Sequence, residues 1–200
     1  MFLPAGTLHY WNAWLFVAVL FVPMIFLGIL MLFKSPKLLE KRLDAKEKIA
    51  EQKWVVALSG IMFIAAFVVA GLNFRYSWHS LPDNVIWIGA SVFLLSYLIY
   101  AEVMRENAFL SRTIEVQENQ KVIDTGLYGV VRHPMYSATL IMFLSIPLIL
   151  GSIISFAIML AYIPIIAVRM NNEEKVLEEG LKGYKEYKQK VKYKVIPFVW

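Results

Sequence analysis

Between Gly126 and Tyr136 the chain reads Gly126-Leu127-Tyr128-Gly129-Val130-Val131-Arg132-His133-Pro134-Met135-Tyr136, an arginine, a histidine and two tyrosines directly ahead of a long apolar run. Proline is accommodated in the first turn of a helix, so Pro134 marks a helix start. There the backbone N–H groups lack intrahelical acceptors and the helix dipole favours an anion, such as a carboxylate or a phosphate. A second charged cluster, Arg169-Met170-Asn171-Asn172-Glu173-Glu174, stands beyond the apolar run. One cluster brings cations and phenols, the other carboxylates; together they could hold an anionic group and balance a cationic one. On spacing alone, Arg132 and His133 could equally be interfacial anchors, with the tyrosines part of an aromatic belt.

Composition removes several other chemistries. The chain has no cysteine, which excludes disulfides, thiolate nucleophiles and cysteine-ligated zinc or iron–sulfur clusters. The remaining histidines, His9 and His79, are expected across the membrane from His133, so no metal site is expected. A net charge of +5 would suit nucleic acid, but the basic residues sit between apolar runs as membrane topology would place them. The expected partner is the lipid bilayer, not nucleic acid. Hydrophobic residues make up 59% of the chain, above the roughly 45–50% of soluble domains.

The two charged clusters meet only if the apolar stretch 135–168 folds back on itself. As one helix it would be about 51 Å long, well beyond a bilayer. Gly151-Ser152 lies at its midpoint with Pro147 just before, which predicts a tight helical hairpin of two short spans. Runs at 12–33 and 54–73 are each long enough to span a hydrocarbon core. A third span is expected over 85–101, started by Pro82-Asp83-Asn84 with Asp83 or Asn84 as N-cap. The fold class is thus an all-α integral membrane protein of about five transmembrane helices.

Charge placement orients it. Lys and Arg number seven in 34–53, one in 74–84, four in 102–134 and eight in 169–200. With the N-terminus outside and five spans, nineteen of the twenty face the cytosol, as the positive-inside bias requires. The first eleven residues carry no Lys or Arg, and the first apolar run ends at Lys34-Ser35-Pro36-Lys37, so a retained helix rather than a cleaved signal peptide is expected. Residues 34–53, with Ser35 and Pro36 as a helix start and Leu39, Leu43 and Ala50 at helical spacing, read as an amphipathic helix along the headgroups. Residues 113–123 alternate apolar and polar side chains about Glu118-Asn119, which predicts a small hairpin or paired extended segment. Residues 1–104 form the first three spans, and 105–200 the part that carries the chemistry. The lysine-rich tail reads as a solvated amphipathic helix or an anchor to anionic headgroups.

Over residues 107–197 the chain resembles the isoprenylcysteine carboxyl methyltransferase family, in particular its short prokaryotic members. The shared pattern is Gly126-x-Tyr128, Arg132-His133-Pro134-x-Tyr136, a helical hairpin, Glu173-Glu174, Leu177, Tyr184-x-x-Tyr187 and a closing Pro197. The resemblance implies transfer of a methyl group from S-adenosylmethionine, leaving S-adenosylhomocysteine, to a carboxylate on a lipophilic, lipid-modified substrate. Cofactor would enter from the cytosol and substrate from the bilayer. It further implies that His133 and Tyr136 hold the cofactor's carboxylate, with Tyr128 and the backbone around Leu127 near its other polar groups. Arg132 with Glu173 or Glu174 would form the catalytic pair, and a glutamate would also face the cofactor. Methylation of a phospholipid amine, an NADPH-dependent sterol or lipid reductase, and a non-enzymatic scaffold stand as alternatives.

Overall fold

The computed structural model describes residues 1–43, 50–111 and 113–200. Four stretches among them are long and apolar enough to cross a membrane: Trp11–Lys34, Lys53–Tyr76, Asp83–Glu106 and Ile153–Gly180. A shorter apolar helix, Pro134–Ile149, stands beside them. Among the described residues there is no strand; Ser80 and Ser152 form an isolated antiparallel bridge. The protein is an all-α integral membrane protein, as the apolar runs imply.

In chain order the helices are α1 (Phe2–Ala5), α2 (Trp11–Lys34), α3 (Pro36–Leu43), α4 (Ala50–Tyr76), α5 (Asp83–Glu106), α6 (Pro134–Ile149), α7 (Ile153–Met159), α8 (Tyr162–Gly180) and α9 (Tyr184–Lys190), with a 3₁₀ turn over Gly126–Gly129. The long helices overrun the apolar stretches at both ends, because backbone amides still need partners where the hydrocarbon stops. α5 starts earlier than expected: Pro82 is its N-cap, and the Val85 N–H donates to Pro82 O at 2.9 Å. Asp83, expected as a cap, sits instead in the first turn, where its charge faces the positive end of the helix. α3 has Pro36 in its first turn and buries Leu38 against Val103, Met104 and Tyr128. The rest of the expected amphipathic helix, residues 44–49, lies outside the described residues.

The hairpin tip falls where Gly151-Ser152 implies. Gly151 takes φ +71°, a left-handed conformation that other residues adopt at a cost. Its carbonyl accepts from Leu81 N at 3.0 Å and Asn73 Nδ2 at 3.4 Å, and the Ser152 hydroxyl caps α7 by accepting from Ser155 N. Tyr10 OH and Asn12 Nδ2 donate to the carbonyls of Leu150 and Ile149, so the N-terminal segment seals the same end. Around them Ala13, Phe16, Ala70, Ala90, Phe93 and Ile146 form the largest core cluster. Its alanines let helices approach closely, which carries association where lipid supplies no hydrophobic drive.

The returning arm is broken. α7 stops at Met159 and α8 begins at Tyr162, because Pro164 has no N–H for Leu160 O and its ring crowds that carbonyl. Large apolar side chains such as Phe26 and Leu32 of α2, Ile64 of α4 and Leu98 of α5 point outward, an arrangement that costs free energy in water and suits hydrocarbon. Some hydroxyls within the spans turn back to their own helix, as Ser59 Oγ does to Val55 O and Ser96 Oγ to Phe93 O, while Ser155 Oγ crosses to Ala66 O and Tyr97 OH to Leu20 O.

Candidate active site

α8 runs past the apolar stretch as one helix, so Arg169, Glu173 and Glu174 arrive beside the start of α6. The two clusters meet. Glu174 Oε1 accepts from Arg132 Nε at 2.8 Å and lies 3.2 Å from His133 Nε2, while Oε2 faces Lys194 Nζ at 3.2 Å and Lys188 Nζ at 3.4 Å. Arg132 Nη1 donates to Val191 O and Lys192 O, both at 2.7 Å. Arg132, His133 and Glu174 are all buried. This knot ties α6, α8 and the C-terminal segment together, and its carboxylate is fully occupied within the protein.

The anion cradle expected at the start of α6 holds the chain itself. The N–H groups of Arg132 and His133 donate to Tyr193 O at 2.9 Å and Lys194 O at 2.8 Å, and those of Tyr136 and Ser137 to His133 O. The tail supplies acceptors in register, and Ser137 Oγ adds a bond to Val195 O at 2.7 Å. The N–H groups of Arg132, His133, Tyr136 and Ser137 are therefore already taken within the chain.

Glu173 lies on a different face, about 100° around the helix from its neighbour. Its Oε2 accepts from Tyr136 OH at 2.5 Å, and Tyr136 OH accepts from Arg169 Nε at 3.1 Å. All three side chains line a cavity of about 790 Å³, within the range that holds small molecules and cofactors. Along α8 the wall runs Tyr162, Ile166, Arg169, Glu173, Leu177; along α6 it runs His133, Tyr136, Thr139, Phe143. Both rows pass from apolar near the middle of the spans to polar at the charged end. Val56, Gly60 and Phe63 of α4 face the apolar half, and Thr113, Gln120, Val122, Tyr184 and Tyr187 face the polar half.

The segment over 113–123 has the expected turn, with Gln120 N donating to Gln117 O at 3.1 Å and Asn119 at φ +57°. No strand ladder forms among the described residues. Val116 and Val122 pack instead on Leu181, Tyr184 and Tyr187, so apolar contact with the tail replaces cross-strand pairing.

Tyr128 lies in the cavity wall; its hydroxyl accepts from Asn107 Nδ2 at 2.9 Å, and its carbonyl accepts from Tyr187 OH at 2.7 Å. The Leu127 N–H donates to Glu106 Oε2 at 3.2 Å, and its side chain joins the Val103–Met104–Met135 cluster. Glu106 also accepts from Thr125 Oγ1, and a Cβ on Gly126 would run into the Glu106 carboxylate. A larger residue there would displace the Glu106 carboxylate and strain the backbone at φ +48°. Of the expected site residues, Tyr128, Arg132, His133, Tyr136 and Glu173 line the cavity, whereas Glu174 is sealed behind it and Leu127 packs beside it. Arg169 and Tyr184, which sequence reasoning did not single out as site residues, also line the cavity. Arg169 was legible as the residue one helical turn before Glu173.

The fold and cavity define a membrane protein with a buried polar site open to an apolar chamber. Residues 84–183, half of the chain, match the phospholipid methyltransferase family, and the chain belongs to that family. The matched region runs from the first turn of α5 through the Arg132-His133-Pro134 motif, the hairpin and both glutamates to the residue before α9. The mouse (Mus musculus) Delta(14)-sterol reductase TM7SF2 is 30% identical over 91 residues, covering 44% of this chain and 22% of that protein. The chain thus spans about a fifth of the length of this curated relative.

Proposed function

We propose that the chain is an S-adenosylmethionine-dependent methyltransferase acting on a lipophilic substrate that bears a carboxylate. The observation that carries this reading is the Arg169–Tyr136–Glu173 chain of hydrogen bonds, set where the polar and apolar halves of one cavity meet. A lipophilic substrate placed from the apolar side presents its polar end at that point. When bound, the cofactor would supply a methyl group on a sulfonium for transfer to a substrate oxygen, with the carbon–sulfur bonding pair left on sulfur. An in-line displacement of this kind depends on alignment more than on acid–base help, and a carboxylate nucleophile has no proton to lose.

The residues present fit such a cofactor. Glu173 offers a countercharge to its cationic groups, which a dry cavity would strengthen. His133 and Tyr136 would meet its carboxylate, Tyr136 by exchanging its bond to Glu173 for one to the ligand as Glu173 turns to the cofactor's ammonium, and Tyr184 adds a buried hydroxyl with no protein partner among the described residues. Arg169 presents a planar fork suited to orienting the substrate carboxylate. Arg132 and Glu174, the pair implied by the resemblance together with Glu173, act in this reading by holding His133 and the tail in place. The charged end would face the cytosol and the N-terminus the outside, with residues 105–200 as the catalytic part and the earlier spans as its lipid-facing support.

A second reading, methylation of a phospholipid amine, is favoured by the family itself. Arg169 would then hold the lipid phosphate, and the amine would have to shed a proton. The similarity to a sterol reductase favours a third, in which the cavity takes NADPH. The test is methyl transfer from labelled S-adenosylmethionine to lipid extract by the purified protein in liposomes. Label released as methanol by mild alkali marks a methyl ester, and label that survives alkali marks an N-methyl group. Calorimetry with S-adenosylhomocysteine comes first, on wild type, His133→Ala and Tyr136→Phe. Folded protein that ignores it and binds NADPH would overturn the methyltransferase reading.

A further inference from the structure

Tyr184 opens α9 with its ring buried against Leu181, Tyr187 and Val191, and it is 4% exposed. Its hydroxyl is the buried side-chain polar atom without a hydrogen-bond partner among the described residues. Other buried tyrosines are satisfied: Tyr10 OH reaches Leu150 O, Tyr162 OH reaches Thr139 Oγ1, and Tyr187 OH, from the same motif and one turn along α9, reaches Tyr128 O. Tyr184 also lines the cavity. A buried hydroxyl with no partner costs free energy, and a phenylalanine would fill the same space without that cost.

We infer that the Tyr184 hydroxyl is a ligand-contacting group, donating its O–H to an acceptor atom of the bound S-adenosylmethionine; this rests on the methyltransferase reading above. Glu173, Glu174 and Arg132 all act electrostatically on this phenol, which places it toward the polar half where the cofactor's polar groups would lie. Burial pushes the phenol well above its ordinary range, with the two glutamates adding to the effect, so the group keeps its proton and acts as a donor. The free protein bears an unsatisfied hydroxyl that cofactor binding satisfies.

The arrangement separates two readouts that a structural tyrosine would keep together. The full chain in detergent is compared as wild type, Tyr184→Phe and Tyr187→Phe, by thermal unfolding with and without S-adenosylhomocysteine and by calorimetry. Tyr184→Phe should leave the ligand-free melting temperature unchanged or higher and weaken S-adenosylhomocysteine binding about tenfold, with a smaller ligand-induced shift. Tyr187→Phe should lower the ligand-free melting temperature, since it abandons the Tyr128 carbonyl. Wild-type affinity in Tyr184→Phe, or a ligand-free destabilisation matching that of Tyr187→Phe, would overturn the inference while leaving the methyltransferase reading intact. Folded wild-type protein that fails to bind S-adenosylhomocysteine would overturn both.

Discussion

Glu173 and Glu174 are adjacent in the chain and serve different faces of one helix: Glu173 meets Tyr136 in the cavity wall, and Glu174 meets Arg132 and His133 behind it. The buried row of α8 is Tyr162, Ile166, Met170, Glu174, while the cavity row continues through Arg169 and Glu173. Removing one member of a buried, paired set leaves its partners uncompensated, typically at about 3–5 kcal/mol. Glu174→Ala should therefore lower the melting temperature of the purified protein sharply. Glu173→Gln should keep the fold and lose methyl transfer. A stable, inactive Glu174→Ala would reverse this assignment.

Arg132→Lys tests the knot from its other end. Lysine keeps the charge but cannot bond Glu174 through one nitrogen while a second reaches the carbonyls of Val191 and Lys192. The C-terminal segment should loosen, so limited proteolysis should clip the chain near residues 190–194 faster than in wild type. Equal cleavage rates would mean that these carbonyl bonds do not hold the tail.

The chain has no cysteine, so single cysteines report orientation cleanly. A membrane-impermeant thiol reagent on intact cells should label Leu3→Cys and spare Lys185→Cys, if the charged end faces the cytosol. The opposite pattern would invert the topology without altering the site.

Much of this architecture could be read from local signals. Apolar length marked the spans, and Gly151-Ser152 marked the hairpin tip that brings Arg132 to Glu174. The break at Leu160 was equally written, in Pro164, but the unbroken apolar character of 135–168 concealed it. Alternation over 113–123 suggested strand pairing. Yet the turn formed without a ladder, because Val116 and Val122 found the tail's tyrosines, a contact between segments about 60 residues apart that no local pattern carries. The same holds for the start of α6: its N–H groups looked available because the residues that fill them, Tyr193 and Lys194, stand far along the chain. Which glutamate faces the cavity required the rotational phase of α8. That phase is set by packing of Met170 and Ile166 against Met62 and Leu140.

Arg169 should be separable from the cofactor. Arg169→Gln removes the guanidinium fork but leaves a side chain able to reach Tyr136. If Arg169 orients the substrate anion, turnover should fall about 100-fold or more, consistent with losing a charge-assisted contact of roughly 3 kcal/mol. S-adenosylhomocysteine affinity should stay within a few-fold. An equal loss in both would place Arg169 on the cofactor instead.

Gly60 offers a test of the membrane-side half of the cavity. It lines the cavity from α4, and a Cβ built there meets nothing within 4 Å, so a larger side chain fits without disturbing the helix. Gly60→Leu should even favour the helix slightly, since glycine is a poor helix former. The added side chain would occupy space opposite Thr139 and Phe143 that a lipophilic substrate is expected to use. Activity on long-chain substrates should therefore fall more than activity on short ones, with S-adenosylhomocysteine binding and melting temperature unchanged. Uniform activity across chain lengths in Gly60→Leu would show that the lipophilic part lies elsewhere, and that the apolar half of the cavity does not select the substrate.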